Sequence, residues 1–258
     1  MLGWLIRGLR ERRITTGYPR GIERPPHGFR GRVQVLDITN APPELARLCP
    51  TGAISIDPDG RVSLDRGRCI LCGACVLADP KRFAFASGYE TAARSRGALV
   101  DSGDPAPDSI PNRPPLGAMA PALKRSIHVR HIDCGSDGTE EWEIQALWNP
   151  YYDIQRLGFF LTAAPRHADI LLVTGGVTAA MRGPLERTWE VMPAPKALVA
   201  VGTDACSGGL AGDAGLVAGG VDRVLPVDVY IPGSPPAPIA ILNGLLLAVG
   251  LLDQTVAA

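Results

Sequence analysis

The sequence predicts two folded parts, an α+β module over residues 1–100 and an α/β domain over residues 122–258, joined by a linker over residues 101–121. Four of the six cysteines lie in the first part, between short β-like segments. The middle segment holds six prolines and few large apolar residues, which is typical of a linker. In the last part, short apolar runs end in glycines and alternate with helical patterns, which indicates parallel strands.

The first predicted element is a short amphipathic helix in the N-terminal stretch MLGWLIRGLRERRITTGYP. One side of this helix is apolar and the remainder is basic. The apolar residues are Leu2, Leu5, Ile6 and Leu9, and the basic residues are Arg7, Arg10, Arg12 and Arg13. Such a helix can lie on a membrane surface or against a membrane protein. A solvated basic end fits the same pattern equally well.

Short strands are predicted on both sides of the linker. AISID and RVSL are the β-like runs of the first part. In the last part, ADILLVTGG (residues 168–176) precedes a helical stretch, GPLERTWEVM, and two further apolar runs cover residues 196–202 and 223–233. Ligands of parallel sheets bind beyond the carboxyl ends of the strands. The glycine-rich ends of these runs therefore mark the predicted ligand edge.

Composition narrows the classes of function. The 258 residues include 26 Lys+Arg and 26 Asp+Glu, and no arginine-rich recognition block is present, so no nucleic-acid partner is predicted. MLGWLI is too short for the apolar core of a signal peptide. The apolar run over residues 239–252 is shorter than the roughly 20 residues that span a membrane, and it predicts a packed C-terminal helix. We expect a chain that is soluble on its own and able to dock on a membrane complex.

The stretch DRGRCILCGACVLADPKRF, residues 65–83, carries the strongest motif. Cys69, Cys72 and Cys75 have the C-x2-C-x2-C spacing of a ferredoxin cluster loop, which normally continues to a Cys-Pro pair. Asp79 stands where that last cysteine would be. In two-cluster ferredoxins the cysteine of Cys-Pro ligates the other cluster. A distant Cys-Pro pair should therefore supply the fourth ligand here, and Cys49 is followed by Pro50.

The neighbouring cluster of a two-cluster ferredoxin has no ligands in this sequence. Counted back from Cys49 at ferredoxin spacing, the first three of its ligand positions hold Leu45, Pro42 and Thr39. The fourth position is Asp79, which precedes Pro80. One complete cysteine set thus remains, which predicts one 4Fe–4S cluster on Cys49, Cys69, Cys72 and Cys75. Free thiols and a structural zinc site are the alternatives, but zinc loops usually show two separated C-x2-C pairs.

A long C-terminal segment closely resembles the small subunit of group 4, energy-converting nickel–iron hydrogenases. The cluster-bearing B-type subunit of respiratory complex I belongs to the same superfamily. The resemblance covers about residues 122–252 and includes the stretches PRHADILLVTG and PVDVYIPG. The N-terminal part resembles the ferredoxin-like subunit of the same complexes, here fused to the small subunit. The resemblance implies a ferredoxin-like α+β domain followed by a flavodoxin-like α/β domain.

Relatives of the second domain hold a 4Fe–4S cluster on four cysteines. Matched residue by residue, those positions fall on Asp137, Glu140, Asp204 and Ser234. Cys134 and Cys206 lie nearby but match no ligand position. Oxygen donors at all four positions predict that this cluster is lost, since iron–sulfur clusters need soft thiolate ligands.

The three carboxylates at these positions should meet in a partly buried pocket if the fold is kept. Carboxylates that are close together repel one another and lose hydration, so at least one should be protonated or paired with a cation. A hard ion such as Mg²⁺ or Ca²⁺ could bind them. Hydrogen-bond repair after cluster loss is the favoured alternative.

The resemblance implies an iron–sulfur subunit of a membrane-associated oxidoreductase complex, one that is not catalytic alone and has no catalytic residue of its own. The expected partners are a protein like the hydrogenase large subunit or the D-type subunit of complex I, and antiporter-like membrane subunits. The expected location is peripheral, on the cytoplasmic side of the membrane. Two roles compete: the single cluster transfers electrons, or the chain braces an ion-translocating assembly without through-going electron transfer.

Overall fold

The computed structural model of the chain describes residues 3–11, 14–21, 23–102, 113–121 and 126–253. The predicted N-terminal helix is confirmed as α1 (Gly3–Glu11), and its Leu5, Ile6 and Leu9 side chains are exposed. Leu2, Arg12 and Arg13 lie outside the described residues. The same holds for residues 103–112 of the predicted linker, whose described remainder contains the short helix α3 (Leu116–Met119).

The first part consists of two small antiparallel sheets around a buried core. Strand β1 pairs with β4, β2 pairs with β3, and β3 also pairs with β5. A 3-10 turn over Pro43–Leu48 follows β1, and α2 follows β3, so a strand–helix–strand order occurs twice. The elements are β1 (Arg32–Val35), β2 (Ile54–Ile56), β3 (Val62–Asp65), α2 (Ala74–Ala78), β4 (Phe83–Ala86) and β5 (Val100–Asp101).

The second part is built on a five-stranded parallel sheet, which confirms the predicted α/β architecture. The strands lie in the order β10-β9-β8-β6-β7. Counted within this sheet, the order is 2-1-3-4-5, the order of flavodoxin-like sheets. The strands are β6 (Ile127–Asp133), β7 (Phe159–Leu161), β8 (Ile170–Thr174), β9 (Ala197–Val201) and β10 (Val229–Ile231). The helices are α4 (Thr139–Ala146), α5 (Ala179–Val191), α6 (Gly202–Ser207) and α7 (Pro238–Val249).

Burial explains why the central elements of this sheet form where they do. Every residue of β8, β9 and β10 is buried, as expected for strands covered on both faces. Helix α7 is also buried over its whole length, which confirms the predicted packed C-terminal helix. In the part of the chain that the structure describes, no helix has both the length and the apolar character needed to span a bilayer.

The first part is tied to the second at several points. Tyr18 and Leu116 belong to the same buried core as the sheet and α7. Ala93 and Tyr230 exchange two backbone hydrogen bonds of 2.9 and 2.8 Å at the outer side of β10. These contacts hold the cysteine loop against the carboxyl ends of β9 and β10. At that edge the Thr203 hydroxyl donates a 3.0 Å hydrogen bond to the Cys69 carbonyl.

Candidate iron–sulfur site

Cys49, Cys69, Cys72 and Cys75 line a single pocket in the first part. Cys75 is buried in α2, Cys49 and Cys69 are half-buried, and Cys72 is exposed. The loop between them turns sharply, because Leu71 and Gly73 both adopt positive φ angles, +56° and +84°. Glycine tolerates this conformation without strain. The fold thus brings Cys49 to the loop that contains the other three cysteines.

Burial controls the protonation of these thiols. Burial and, to a smaller extent, charge on the other three cysteines raise the pKa of Cys69 to about 12. Burial also raises the pKa of Cys75. Both thiols are therefore protonated at neutral pH in the metal-free chain, and a metal has to displace their protons. The Ala53 N–H points at Cys49 Sγ over 3.2 Å, a contact that stabilises a thiolate.

The donor set fits an iron–sulfur cluster. In the described residues, no three His, Cys, Asp or Glu side chains are grouped so that they could hold a metal ion. A 4Fe–4S cluster binds each thiolate through a different iron, so its ligands surround a pocket instead of meeting at one point. Four cysteine sulfurs around one pocket meet that requirement, and thiolate is the donor that such clusters use. When bound, the cluster would supply one-electron redox chemistry at these cysteines.

Arg82 occupies the region matched to the neighbouring cluster. Its side chain is buried, and its Nε donates to Asp79 over 3.2 Å. Its Nη1 donates to the carbonyl oxygens of Asp37 and Thr39 over 2.9 and 2.7 Å. Leu45, at another matched position, is packed in the core. A guanidinium thus links two of the four matched positions, Thr39 and Asp79, and no motif in the sequence points to it.

In the second part, the structure brings Asp137, Glu140 and Asp204 together at the carboxyl edge of the sheet. Glu140 is only 2% exposed, and its carboxylate packs so closely on Gly202 that any side chain there would overlap it. Burial and, to a smaller extent, the charges of Asp204 and Asp137 raise the pKa of Glu140 to about 7. The predicted convergence of the three carboxylates is therefore present in the structure.

The three carboxylates differ in how they are stabilised. Burial and the charge of Asp137 raise the pKa of Asp204. Hydrogen bonds from the Thr139 hydroxyl and N–H, 2.6 and 3.0 Å long, lower the pKa of Asp137. Thr139 also donates to Glu140 over 3.2 Å. Asp137 is thus held as an anion, and Glu140 is the member that takes up a proton.

Ser234 is placed differently from the three carboxylates. It is exposed, in the turn after β10 that contains the cis Ser234–Pro235 bond. The preceding residue, Gly233, accepts hydrogen bonds from the Thr203 N–H and hydroxyl, 2.8 and 3.1 Å long. In the described residues, the remaining two cysteines both lie in the hydrophobic core, Cys134 and Cys206. Burial raises the pKa of each to about 12, as expected for inert thiols.

Thr203 connects the two candidate regions. Its single hydroxyl contacts the carbonyl of Cys69 in the first part and that of Gly233 in the second. It directly precedes Asp204, one of the matched positions. Sequence reasoning missed this residue, and no signal in the sequence points to it, because its partners are main-chain oxygens far along the chain.

Two family models match the chain. The one described as NADH ubiquinone oxidoreductase, 20 Kd subunit, matches residues 137–248. The one described as 4Fe-4S single cluster domain matches residues 62–110. This second segment contains Cys69, Cys72 and Cys75 and no other cysteine. The match indicates an iron–sulfur cofactor, and a fourth cysteine ligand would have to come from outside the matched segment.

Relatives match over roughly half of the chain. Formate hydrogenlyase subunit 7 of Escherichia coli K12 is 48% identical over 136 residues, which is 53% of this chain and 53% of that protein. "Probable membrane-bound hydrogenase subunit mbhJ" of Pyrococcus furiosus is 40% identical over 141 residues, 55% of this chain and 84% of that protein. A solved structure of the membrane-bound sulfane sulfur reductase, an archaeal respiratory membrane complex, contains a chain that is 30% identical, with a TM-score of 0.46. That similarity covers 52% of this chain and 74% of the other.

Proposed function

Because the chain belongs to the family of the NADH ubiquinone oxidoreductase 20 kDa subunit, we propose that it is an iron–sulfur subunit of a membrane-associated complex related to group 4 hydrogenases and respiratory complex I. The observation that carries this proposal is the pocket lined by Cys49, Cys69, Cys72 and Cys75. Those four residues are the proposed ligands of one 4Fe–4S cluster. No catalytic residue is proposed, and the chain is not an enzyme alone.

The first part is proposed to be a ferredoxin-like module within residues 1–100. The repeated strand–helix–strand order and the antiparallel β1–β4 and β2–β3 pairs support this proposal. Residues 101–121 would be the linker and residues 122–258 the second domain. Cores shared between these parts, such as the one containing Tyr18, mean that the module would be docked firmly on the second domain.

One cluster is proposed, because the second matched set of positions holds no thiol. Asp137, Glu140, Asp204 and Ser234 offer only oxygen donors, which suit iron–sulfur clusters poorly. Burial of Glu140 next to Asp204 is better explained by a shared proton than by a redox centre. These four positions would then contribute hydrogen bonds to the fold and would hold no electron carrier.

Electron transfer is the proposed role of the remaining cluster. Its site has an exposed edge at Cys72, and the Cys69 carbonyl accepts a hydrogen bond from Thr203, which directly precedes Asp204 in α6. A second candidate is structural bracing of an ion-translocating assembly without through-going electron transfer. The absence of cysteine at the four second-domain positions favours this candidate, because relatives carry their next cluster there.

The proposed partners are a protein like the hydrogenase large subunit or the D-type subunit of complex I, and antiporter-like membrane subunits. A peripheral position on the cytoplasmic side of the membrane is proposed for the chain. Exposed apolar side chains of the second part support a surface that a partner covers, among them Trp142, Leu210 and Leu216, which are 73%, 64% and 70% exposed.

Anaerobic purification of the native complex from gently solubilised membranes tests the proposal. We expect the large-subunit homologue to co-purify, with about four irons and four sulfides per copy of this chain, the content of one 4Fe–4S cluster. A value near eight would contradict the single cluster. Rapid reduction of the cluster within the complex would favour electron transfer, whereas a cluster that keeps one oxidation state during turnover would favour bracing. Recovery of a free monomer only would refute the assignment to a complex.

A further inference from the structure

Arg30 lies on the cysteine loop at its most exposed point. Its Nη1 donates to the Leu71 carbonyl over 3.4 Å, and its guanidinium lies 4.7 Å from the centre of the Phe85 ring. A Cβ added to Gly73 would be 3.1 Å from the same ring and 3.7 Å from Arg30 Nη1. Leu71 and Gly73 flank Cys72 in the sequence. The guanidinium therefore lies beside Cys72, the one exposed cysteine among the four proposed ligands.

The charge of Arg30 is not cancelled by a local ion pair within the described residues. Arg66 lines a pocket together with Cys69, but it forms an ion pair with Asp101 over 3.2 Å. The contacts of Arg30 in the same part of the chain are a carbonyl oxygen and an aromatic face. Glu143 lines the same cleft as Arg30 but forms no ion pair with it there. Of Arg30 and Arg66, it is therefore Arg30 that lies beside the cysteine pocket with a positive charge that no ion pair in the described residues cancels.

We propose that Arg30 is a positioning residue that raises the reduction potential of the cluster in the first part. Reduction adds one negative charge to the cluster, and a fixed cation beside a ligand stabilises the reduced form more than the oxidised form. Arginine suits this role because its guanidinium keeps its charge and stacks on an aromatic ring. The Phe85 ring and the Leu71 carbonyl together hold the charge at the Cys72 edge. This inference rests on the proposed 4Fe–4S cluster.

The midpoint potential of the cluster in the purified full chain tests this role. It is measured by a mediated redox titration followed through the electron paramagnetic resonance signal of the reduced cluster. Arg30→Gln, which removes the charge, should shift the midpoint to more negative values. Arg30→Lys, which keeps the charge, should remain close to wild type. Arg182→Gln removes the same charge from an exposed ion pair on α5 and should leave the midpoint unchanged.

Two further measurements distinguish an effect of the Arg30 charge from a change in the structure around the cluster. The difference between wild type and Arg30→Gln should shrink as ionic strength rises, because salt screens an exposed charge. Phe85→Leu removes the ring under the guanidinium and should give a smaller negative shift. A wild-type midpoint in Arg30→Gln with four irons bound would overturn the inference, and so would loss of iron from both Arg30→Gln and Phe85→Leu. Wild-type protein without iron would instead contradict the proposed function.

Discussion

The cysteine pocket of the first part and the carboxylate group of the second part lie at two connected places in one molecule. Thr203 contacts the Cys69 carbonyl on one side and directly precedes Asp204 on the other. One place holds four thiols and the other holds Asp137, Glu140, Asp204 and Ser234. Soft sulfur donors can hold iron–sulfur clusters and hard oxygen donors hold them poorly. The first place therefore has donors that suit such a cluster, and the second place does not.

The two regions without cysteine ligands are filled in different ways. Next to the cysteine pocket, the Arg82 guanidinium donates to Asp79 and to two carbonyl oxygens. At the edge of the parallel sheet, Glu140 is buried and its pKa is raised to about 7, so it holds a proton up to near neutral pH. Buried polar groups have to be hydrogen-bonded or neutralised. The Arg82 guanidinium satisfies the polar groups beside the cysteine pocket, and a proton on Glu140 neutralises the carboxyl at the edge of the parallel sheet.

The comparison depends most strongly on which cysteines hold iron. Cys49→Ser and Cys72→Ser should each reduce the bound iron from about four per chain to near zero or to an incomplete cluster, since both are proposed ligands of one cluster. Iron and sulfide analysis of anaerobically purified protein measures this loss. Cys134→Ala, which removes a buried thiol outside the pocket, should keep the wild-type iron content. Normal iron in Cys49→Ser would exclude the proposed ligand set.

Substitution of Arg82 tests whether the stability of the region beside the cysteine pocket depends on the guanidinium. Arg82→Leu leaves the Asp79 carboxylate and the carbonyls of Asp37 and Thr39 without their donor. Removing one partner of a buried pair costs roughly 3 kcal/mol, which corresponds to a fall in the unfolding temperature of about 6–12 °C for a chain of this size. Thermal unfolding under anaerobic conditions measures it. Arg182→Leu, which breaks an exposed pair on α5, should cost less than about 1 kcal/mol. Equal losses in the two variants would contradict this account.

The pH dependence of stability tests whether the carboxylate region at the edge of the parallel sheet is stabilised by a proton on Glu140. Its pKa in the folded chain is raised from 4.5 to about 7, so the folded state holds a proton that the unfolded state releases between these values. The contribution of Glu140 to stability should therefore be fully present at and below pH 4.5, fall as the pH rises to 7, and level off above it. The loss attributable to this carboxyl is about 3 kcal/mol.

Glu140→Gln should remove this component of the pH dependence and be more stable than wild type at about pH 8, above the raised pKa. Urea unfolding midpoints of both proteins between about pH 5 and pH 8 measure the difference, and comparing the two cancels the other titrating groups. Glu186→Gln changes an exposed carboxyl on α5 and should follow the wild-type curve. Parallel curves for wild type and Glu140→Gln would show that Glu140 is ionised throughout this range.

The fold could be predicted from the sequence where strands are buried on both faces. The apolar runs ending in glycine identified β8, β9 and β10, in which every residue is buried. Strand β6 could not be identified as an apolar run that ends in glycine, because polar residues such as His128 and Arg130 interrupt its apolar positions. Strand β7 is apolar throughout, but its three residues are too few to indicate a strand in the sequence.

The candidate site could be predicted only where the chemistry lies in residue type and spacing. C-x2-C-x2-C and a distant Cys-Pro identified the cysteines that the structure brings to one pocket. The sequence could not identify Arg82, Arg30 or Thr203, because their contacts are largely with main-chain carbonyls of distant residues. Main-chain partners depend on how the chain folds back and leave no pattern in the sequence.

The smallest effect is expected at Thr203, which joins the two regions. Thr203→Val keeps the side-chain shape but removes the hydroxyl that contacts the Cys69 carbonyl, while the Thr203 N–H still donates to Gly233. Loss of one hydrogen bond costs about 1 kcal/mol, which would make opening of the cysteine loop roughly fivefold more frequent. Iron should therefore pass to an added chelator about five times faster than in wild type. Thr188→Val removes a hydroxyl that donates within α5 and serves as the control. Equal chelation rates in wild type and Thr203→Val would show that the two regions hold their positions without this hydroxyl.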